Sequence, residues 1–201
     1  MATSAAPYGL KPLNLIGGQP YAGSTRQIKI ASGYNTNIFN GSVVSIVAGG
    51  TIEIVTTNGD NSTVFPAGTI GVFVGCVYTD PNTQQLTFRQ SWPANTVAAD
   101  AKAYVVDDPD CLFQVQADGA VTQADLGQNT HLAAVQSTST GSTTTGNSTS
   151  AVTATTAVTS GFAFRIVDFV DGPESTVGDA FTDLIVKFNP DSHSYTNKTG
   201  I

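Results

Sequence analysis

From residue 27 onward the chain alternates short apolar runs with turn formers. The runs are QIKI, SVVSIV, TIEIV, TIGVFVGCVY, QLTFRQSW, AKAYVV, CLFQVQ, HLAAV, FAFRIVDFV and DLIVKF. They are rich in Val, Ile, Phe and Tyr, and the breaks fall at Asn40-Gly41, Gly49-Gly50, Asn58-Gly59-Asp60, Asp80-Pro81-Asn82 and Asp118-Gly119. Branched and aromatic side chains suit a pleated, half-buried surface, and Asn, Asp, Gly and Pro suit the tight turns between strands. Many short strands at near-regular spacing predict an all-β fold, a compact Greek-key or tulip-like β-barrel or sandwich. A period of 3.6 is nearly absent; the one helical candidate is a turn or two in TQADLG, with Thr122 as its cap.

Two segments break the pattern. Residues 1–25 carry Pro7, Pro12 and Pro20 with Gly9, Gly17, Gly18 and Gly23, which forbids a helix and disfavours a regular strand. Yet Tyr8, Leu10, Leu13, Leu15, Ile16 and Tyr21 are too apolar for a solvated tail. The segment predicts an extended N-terminal arm that orders only with backbone pairing and a surface to lie on, its own domain or a neighbouring subunit. The β domain then runs over 26–201. Within it, residues 137–160 hold sixteen Ser or Thr in twenty-four positions, which in isolation reads as a linker or low-complexity loop and, if held, as an extended hydroxyl-bonded ribbon.

Composition narrows the function. Only 11% of the 201 residues are charged, against roughly 25% in an average domain. The eight cations (Lys11, Arg26, Lys29, Arg89, Lys102, Arg165, Lys187, Lys198) are scattered through a chain of net charge −7, so nucleic acid has no basic stripe to bind. The opening MATSAAPYGLKPLNLIGG lacks the apolar core of a signal peptide, and no run approaches the ~18 residues of a membrane span. Synthesis in a cytosol without a recognisable export signal is expected. Cys76 and Cys111 sit in apolar runs and read as buried reduced thiols.

Catalytic patterns are missing. No Gly-x-Ser-x-Gly occurs, and neither His131 nor His193 belongs to a metal-ligand spacing. His131 reads as a strand-end residue, and His193, in DSHSYTNKTGI, as a surface imidazole. Phosphate loops and dinucleotide fingerprints are absent. The carboxylates cluster at Asp100, Asp107, Asp108, Asp110, Asp118 and Asp125, and again at Asp171, Glu174, Asp179 and Asp183. A calcium loop starting at Asp108 fails, because Leu112 and Phe113 fall at its fifth and sixth positions. Asp108-Pro109-Asp110 reads instead as a turn, with Pro setting φ and the first Asp accepting a bond from the turn backbone. DGPE at 171–174 reads as a loop for the same reasons. No cofactor, metal or small-molecule substrate is expected.

The stretch NGSVVSIVAGGTIEIV, followed by FPAGTIGVFVGCVYTDP, resembles the small β-barrel of tailed-phage head decoration proteins, with a Gly-led strand, a Gly-Gly turn, a second strand and a Gly-Val-x-x-Gly strand. More loosely, the whole chain looks like the capsid cement proteins of environmental and cyanobacterial tailed phages, with APYGLKP and GGQPYAGSTRQIKIASGY in front and YVVDDPDCLFQVQ and FRIVDFVDGP behind. The resemblance implies a non-enzymatic virion protein, often a homotrimer, on the outer surface of the capsid, clamping neighbouring subunits of the major capsid protein. On that reading the arm (Tyr8, Leu10, Leu13, Leu15, Tyr21) lies across a neighbouring coat or cement subunit, and the acidic bend points either at solvent or at cations such as Arg26 and Lys29 on a neighbouring subunit. The rival reading is a carbohydrate- or receptor-binding module of a tail fibre or spike, which needs an exposed aromatic platform. Trp92, in QSWPAN, is its candidate, set against a role as a core anchor.

Overall fold

A computed structural model of the chain describes residues 4–158, 161–173 and 175–201. Two antiparallel sheets account for nearly all regular structure, compatible with a sandwich and not closed into a barrel. The strands are β1 (Lys11–Leu15), β2 (Arg26–Lys29), β3 (Val43–Ile46), β4 (Ile52–Ile54), β5 (Thr69–Thr79), β6 (Leu86–Arg89), β7 (Lys102–Val106), β8 (Cys111–Gln116), β9 (Asn129–Thr130), β10 (Phe164–Phe169) and β11 (Asp183–Phe188). One sheet has the order β1-β8-β11-β10-β9; the other runs β2-β7-β5-β3-β4, with β6 also paired to β5.

The near-continuous apolar run of β5 follows from its position, since it is covered on both faces. It contributes Val72 to a core shared with Cys111, Phe113, Val115, Phe164, Ile166, Leu184, Val186 and Phe188 of the five-stranded sheet. Its other face sends Ile70, Phe73, Cys76 and Tyr78 into a second core with Ile38, Val44, Ile52, Ile54, Trp92 and Val105. Register shifts against β3 and β7 each leave β5 with a surplus residue, and such bulges re-aim side chains between the two faces. An isolated bridge between Ile30 and Ile52 brings the two edges of the six-stranded sheet together around the second core.

Several expectations need revision. HLAAV is not a strand: Leu132 makes a lone bridge to Val152 and its N–H goes to Asn58, while the ladder forms just before it at β9. The helical candidate is a single 3-10 turn, Gln123–Asp125, and Thr122 is a donor there, its N–H and hydroxyl both reaching the Asp125 carboxylate at 2.9 and 2.8 Å. The N-terminal segment lies on its own domain. Gly9 (φ +76) passes so close to Ser148 and Gly41 that an added Cβ would meet them at 2.7 to 2.9 Å, and β1 then pairs with β8.

The Ser/Thr-rich tract, through residue 158, is a ribbon stitched between the sheets. Asn40 and Gly146, Ser148 and Asn40, Gly9 and Ser150, Val152 and Gln116, and Thr153 and His131 all share backbone hydrogen bonds of 2.8 to 3.1 Å. Ser148, Ser150 and Thr153 are buried, which their small hydroxyl side chains permit because each finds a partner within two residues. Just before the tract, the buried Gln136 amide donates to the carbonyls of Val43 (3.0 Å) and Val55 (3.1 Å) and accepts from the Val43 N–H (2.9 Å). It closes the Val43 N–H and the Val55 carbonyl and gives the Val43 carbonyl, which also accepts from the Val55 N–H at 3.0 Å, a second donor. Gln136→Leu strands the Val43 N–H and the Val55 carbonyl in an apolar core, so thermal or urea unfolding should show a loss of roughly 2 to 5 kcal/mol, with a loss under 1 kcal/mol contradicting this role.

Candidate interaction surface

The acidic bend places three carboxylates, Asp107, Asp108 and Asp110, within four positions. The Asp110 N–H donates to Asp108 Oδ1 at 2.8 Å and the Cys111 N–H to the Asp108 carbonyl at 3.1 Å, which is the Pro-fixed turn expected of these residues. Each carboxylate is engaged within its own chain. Asp107 accepts from Arg26 Nε at 2.5 Å and from the Tyr195 hydroxyl at 2.8 Å, and Asp110 accepts from Lys187 Nζ at 2.6 Å. Arg26, expected to meet a neighbour, is therefore held at home; Asp107 raises its pKa, and its guanidinium lies 5.4 Å from the Tyr195 ring centre. These exposed pairs contribute at most about 1 kcal/mol each. Among the described residues no group of three or more His, Cys, Asp or Glu is placed to hold a metal ion.

In the second acidic group, Gly172 and Ser175 bridge across the expected loop and Asp179 accepts from the Thr176 N–H at 3.0 Å. Glu174 lies outside the described residues.

The arm residues divide. Leu10 is fully buried in its own core, so it is not available to a neighbouring subunit, contrary to the expectation. Leu15 and Tyr21 pack partly against that core, and Tyr8 is half-buried under Lys11 Nζ at 4.0 Å from its ring centre. Burial and the Asp183 carboxylate push the Tyr8 hydroxyl pKa up. Leu13 and Ile16 remain exposed. Trp92 is completely buried, edge-on to Tyr78 at 5.4 Å, with its N–H directed at the Tyr34 carbonyl, and it forms no platform. Both cysteines are buried and free, their thiols pushed up to about 12 by burial.

His193 also departs from expectation: it is 1% exposed. The polar residues around it form a clasp that leaves β11 through a 3-10 turn, Pro190–Ser192, and crosses to the six-stranded sheet. There the Ser194 N–H donates to the Thr69 carbonyl at 2.6 Å and Asn197 Nδ2 to the Ala67 carbonyl at 3.0 Å. His193 Nδ1 accepts from the Tyr195 N–H at 3.2 Å, and Nε2, facing the Ile70 backbone, makes no well-formed bond. Composition could not reveal this burial, because the clasp is mostly polar and exposed while Ser192 and the imidazole turn inward, the ring against Phe188 at 5.7 Å.

The surface that sequence reasoning missed lies on β5, β6 and β7. Paired residues of antiparallel strands share a face, and the pairings Lys29 with Lys102, Lys102 with Val77, and Val77 with Phe88 form one row across four strands. The next row pairs Gln27 with Tyr104 and Tyr104 with Gly75. Val106, two residues beyond Tyr104 on this face, is buried in the core between the sheets, whereas Tyr104 and Val77 are only partly covered. Beyond them Phe88 is 68% and Leu86 69% exposed. The face that packs on the second sheet thus continues past its cover. Gly75 (φ +153) carries no side chain, and across it the rings of Phe88 and Tyr104 stack at 5.7 Å and 18°. Asn40, Thr25, Gln90 and Arg89 line the open groove of about 490 Å³ beside them. The signal in the sequence was the alternation of Leu86 and Phe88 with Thr87 and Arg89, which distinguishes two faces without saying which is covered.

Comparison of the chain with protein families, with curated proteins and with solved structures finds no match in any of the three.

The clasp yields a pH prediction. Burial lowers the His193 pKa below its ordinary 6.5, so the unfolded chain binds a proton more readily than the folded one. Stability is therefore full above about pH 6.5 and falls as the pH drops from there toward the folded value. Asp100 and Asp125 have lowered pKa values and lose their contributions only at more acid pH. The unfolding temperature should decline between pH 7 and pH 5 in the wild type, and His193→Gln should flatten that segment of the profile. An unchanged slope in the variant rules out His193 as its source.

Proposed function

We propose that the chain is a structural virion protein that binds the outer surface of a tailed-phage head and clamps neighbouring major capsid subunits, acting as a homotrimeric cement or decoration protein. The observation that carries this reading is the uncovered apolar face around Val77, Leu86, Phe88 and Tyr104. Large apolar side chains presented together on a rigid sheet favour a protein partner, because their burial on association releases ordered water at roughly 25 cal/mol per Å². The resemblance of residues 40–81 to head decoration barrels supplies the kind of partner, a coat lattice. The function asks nothing of nucleic acid, membrane, cofactor or small-molecule substrate.

The mechanism differs from an arm thrown across a neighbour. Since Leu10 is part of the core, the N-terminal segment contributes to a neighbour only through Leu13 and Ile16, and the main contact shifts to the sheet face. Both surfaces belong to a body whose strands do not need to rearrange on binding. A carbohydrate-binding module would have to use Phe88 and Tyr104 in place of Trp92.

Co-sedimentation of the purified chain with expanded heads of the phage that encodes it tests the proposal. Binding to expanded and not unexpanded heads is expected, with Phe88→Ser or Leu86→Ser each weakening it roughly ten- to thirtyfold, as for a central interface residue, at unchanged unfolding temperature. A monomer with no affinity for either head form overturns the reading.

A further inference from the structure

Folding brings two of the eight cations together. Arg26 and Lys187 are paired with Asp107 and Asp110, Lys11 rests over Tyr8, and Arg165 Nε donates to Asn129. Lys29 and Lys102 stand directly opposite one another on the uncovered face, and Arg89 lines the adjoining groove. Like charges directly opposite across strands are destabilising. In a chain of net charge −7, with only eight cations available, that arrangement costs stability and serves nothing in the isolated fold. The Asp100 carboxylate, two residues before Lys102, is held by the Thr79 hydroxyl at 2.6 Å and N–H at 3.1 Å, which lower its pKa first, with Lys102 adding to the effect. Among the described residues Lys29 forms no ion pair.

We infer that the uncovered face of the six-stranded sheet recognises an acidic protein surface, in which carboxylates meet Lys29 and Lys102 while an adjoining apolar side chain covers Phe88 and Tyr104. The inference rests on the proposed clamping role and names the chemistry of its partner. The row Lys29, Lys102, Val77, Phe88 grades from charged to apolar within four adjacent strands, so the complementary surface must place acid beside hydrophobe in the same order. Each lysine then gains a counter-charge as the rings lose water, and removal of water from the rim strengthens the ion pairs. A second copy of the chain docked face to face would oppose lysine with lysine, which this charge pattern disfavours.

The test is an NMR titration of the full chain with two short peptides, one alternating Glu and Phe and the other alternating Gln and Phe. The acidic peptide should shift the amides of Val77, Phe88, Lys102 and Tyr104 and bind at least roughly ten times more tightly than its Gln counterpart. Raising salt from about 50 to about 300 mM should weaken it several-fold. Lys29→Gln with Lys102→Gln should lower its affinity about tenfold while leaving the unfolding temperature equal or higher, because a like-charge pair has been removed. Equal binding of both peptides, or no salt dependence, overturns the inference. So does tighter binding of polygalacturonate than of the acidic peptide, which assigns the face to an acidic sugar. Self-association abolished by Phe88→Ser also overturns it, assigning the face to a second copy. The two readings separate cleanly: acidic-peptide binding without head binding removes the capsid role and keeps the chemistry. Head binding insensitive to both lysine substitutions keeps the role and removes the chemistry.

Discussion

Everything in this fold depends on the first half of β5 being buried on both faces. An antiparallel strand ordinarily has one wet face, and the run Thr69–Phe73, buried on both, requires a layer on each side. The five-stranded sheet supplies one layer. The other comes from the curl of β5's own sheet, whose edges meet at Ile30 and Ile52, and from the segments carrying Ile38 and Trp92. The bulges in β5 are the local consequence, because a strict two-residue period cannot send Ile70, Phe73, Cys76 and Tyr78 to one core.

Two layers held only by side-chain contact would leave many backbone groups at their margins unpaired. The Ser/Thr ribbon answers that need. It offers backbone donors and acceptors to Asn40, Gln116 and His131 in turn, and its side chains are small enough to be buried without displacing the cores. Gln136 does the same with a side chain, satisfying Val43 and Val55 from a single buried amide. A tract that looks compositionally empty is thereby the seam of the molecule, and its low complexity reflects a geometric demand for small, self-satisfying residues.

The strands with two buried faces, such as TIGVFVGCVY and CLFQVQ, were legible because their apolar runs stand out against turn residues. The Asp108-Pro109-Asp110 bend was legible because proline and aspartate act locally. What escaped depends on contacts distant in sequence. HLAAV is apolar enough for a strand, but its backbone donors are claimed by Asn58 and Ala151. His193 sits in a polar stretch, most of which faces outward while it and Ser192 turn in. Leu10 follows two glycine-proline signals typical of a loose arm, yet Gly9 is there to let the backbone press against Gly41 and Ser148. The candidate surface was hidden for a related reason. Lys29 and Lys102 are far apart in the chain and become neighbours only through the register of β2 and β7.

That register bears on how the surface works. Alternation in β6 and β7 makes one face apolar, but a face becomes a core or an interface according to what lies over it. Had the five-stranded sheet extended over Tyr104 and Phe88, the same residues would have completed the core, and Lys102 could not have stood in their row, since burying an unpaired ammonium costs several kcal/mol. The lysines therefore mark where the intramolecular cover must stop. They keep the exposed face from being absorbed into its own fold, and by repelling each other they disfavour its pairing with a copy of itself. An apolar face guarded by cations against its own chain is best completed by a surface that brings the opposite charge with it.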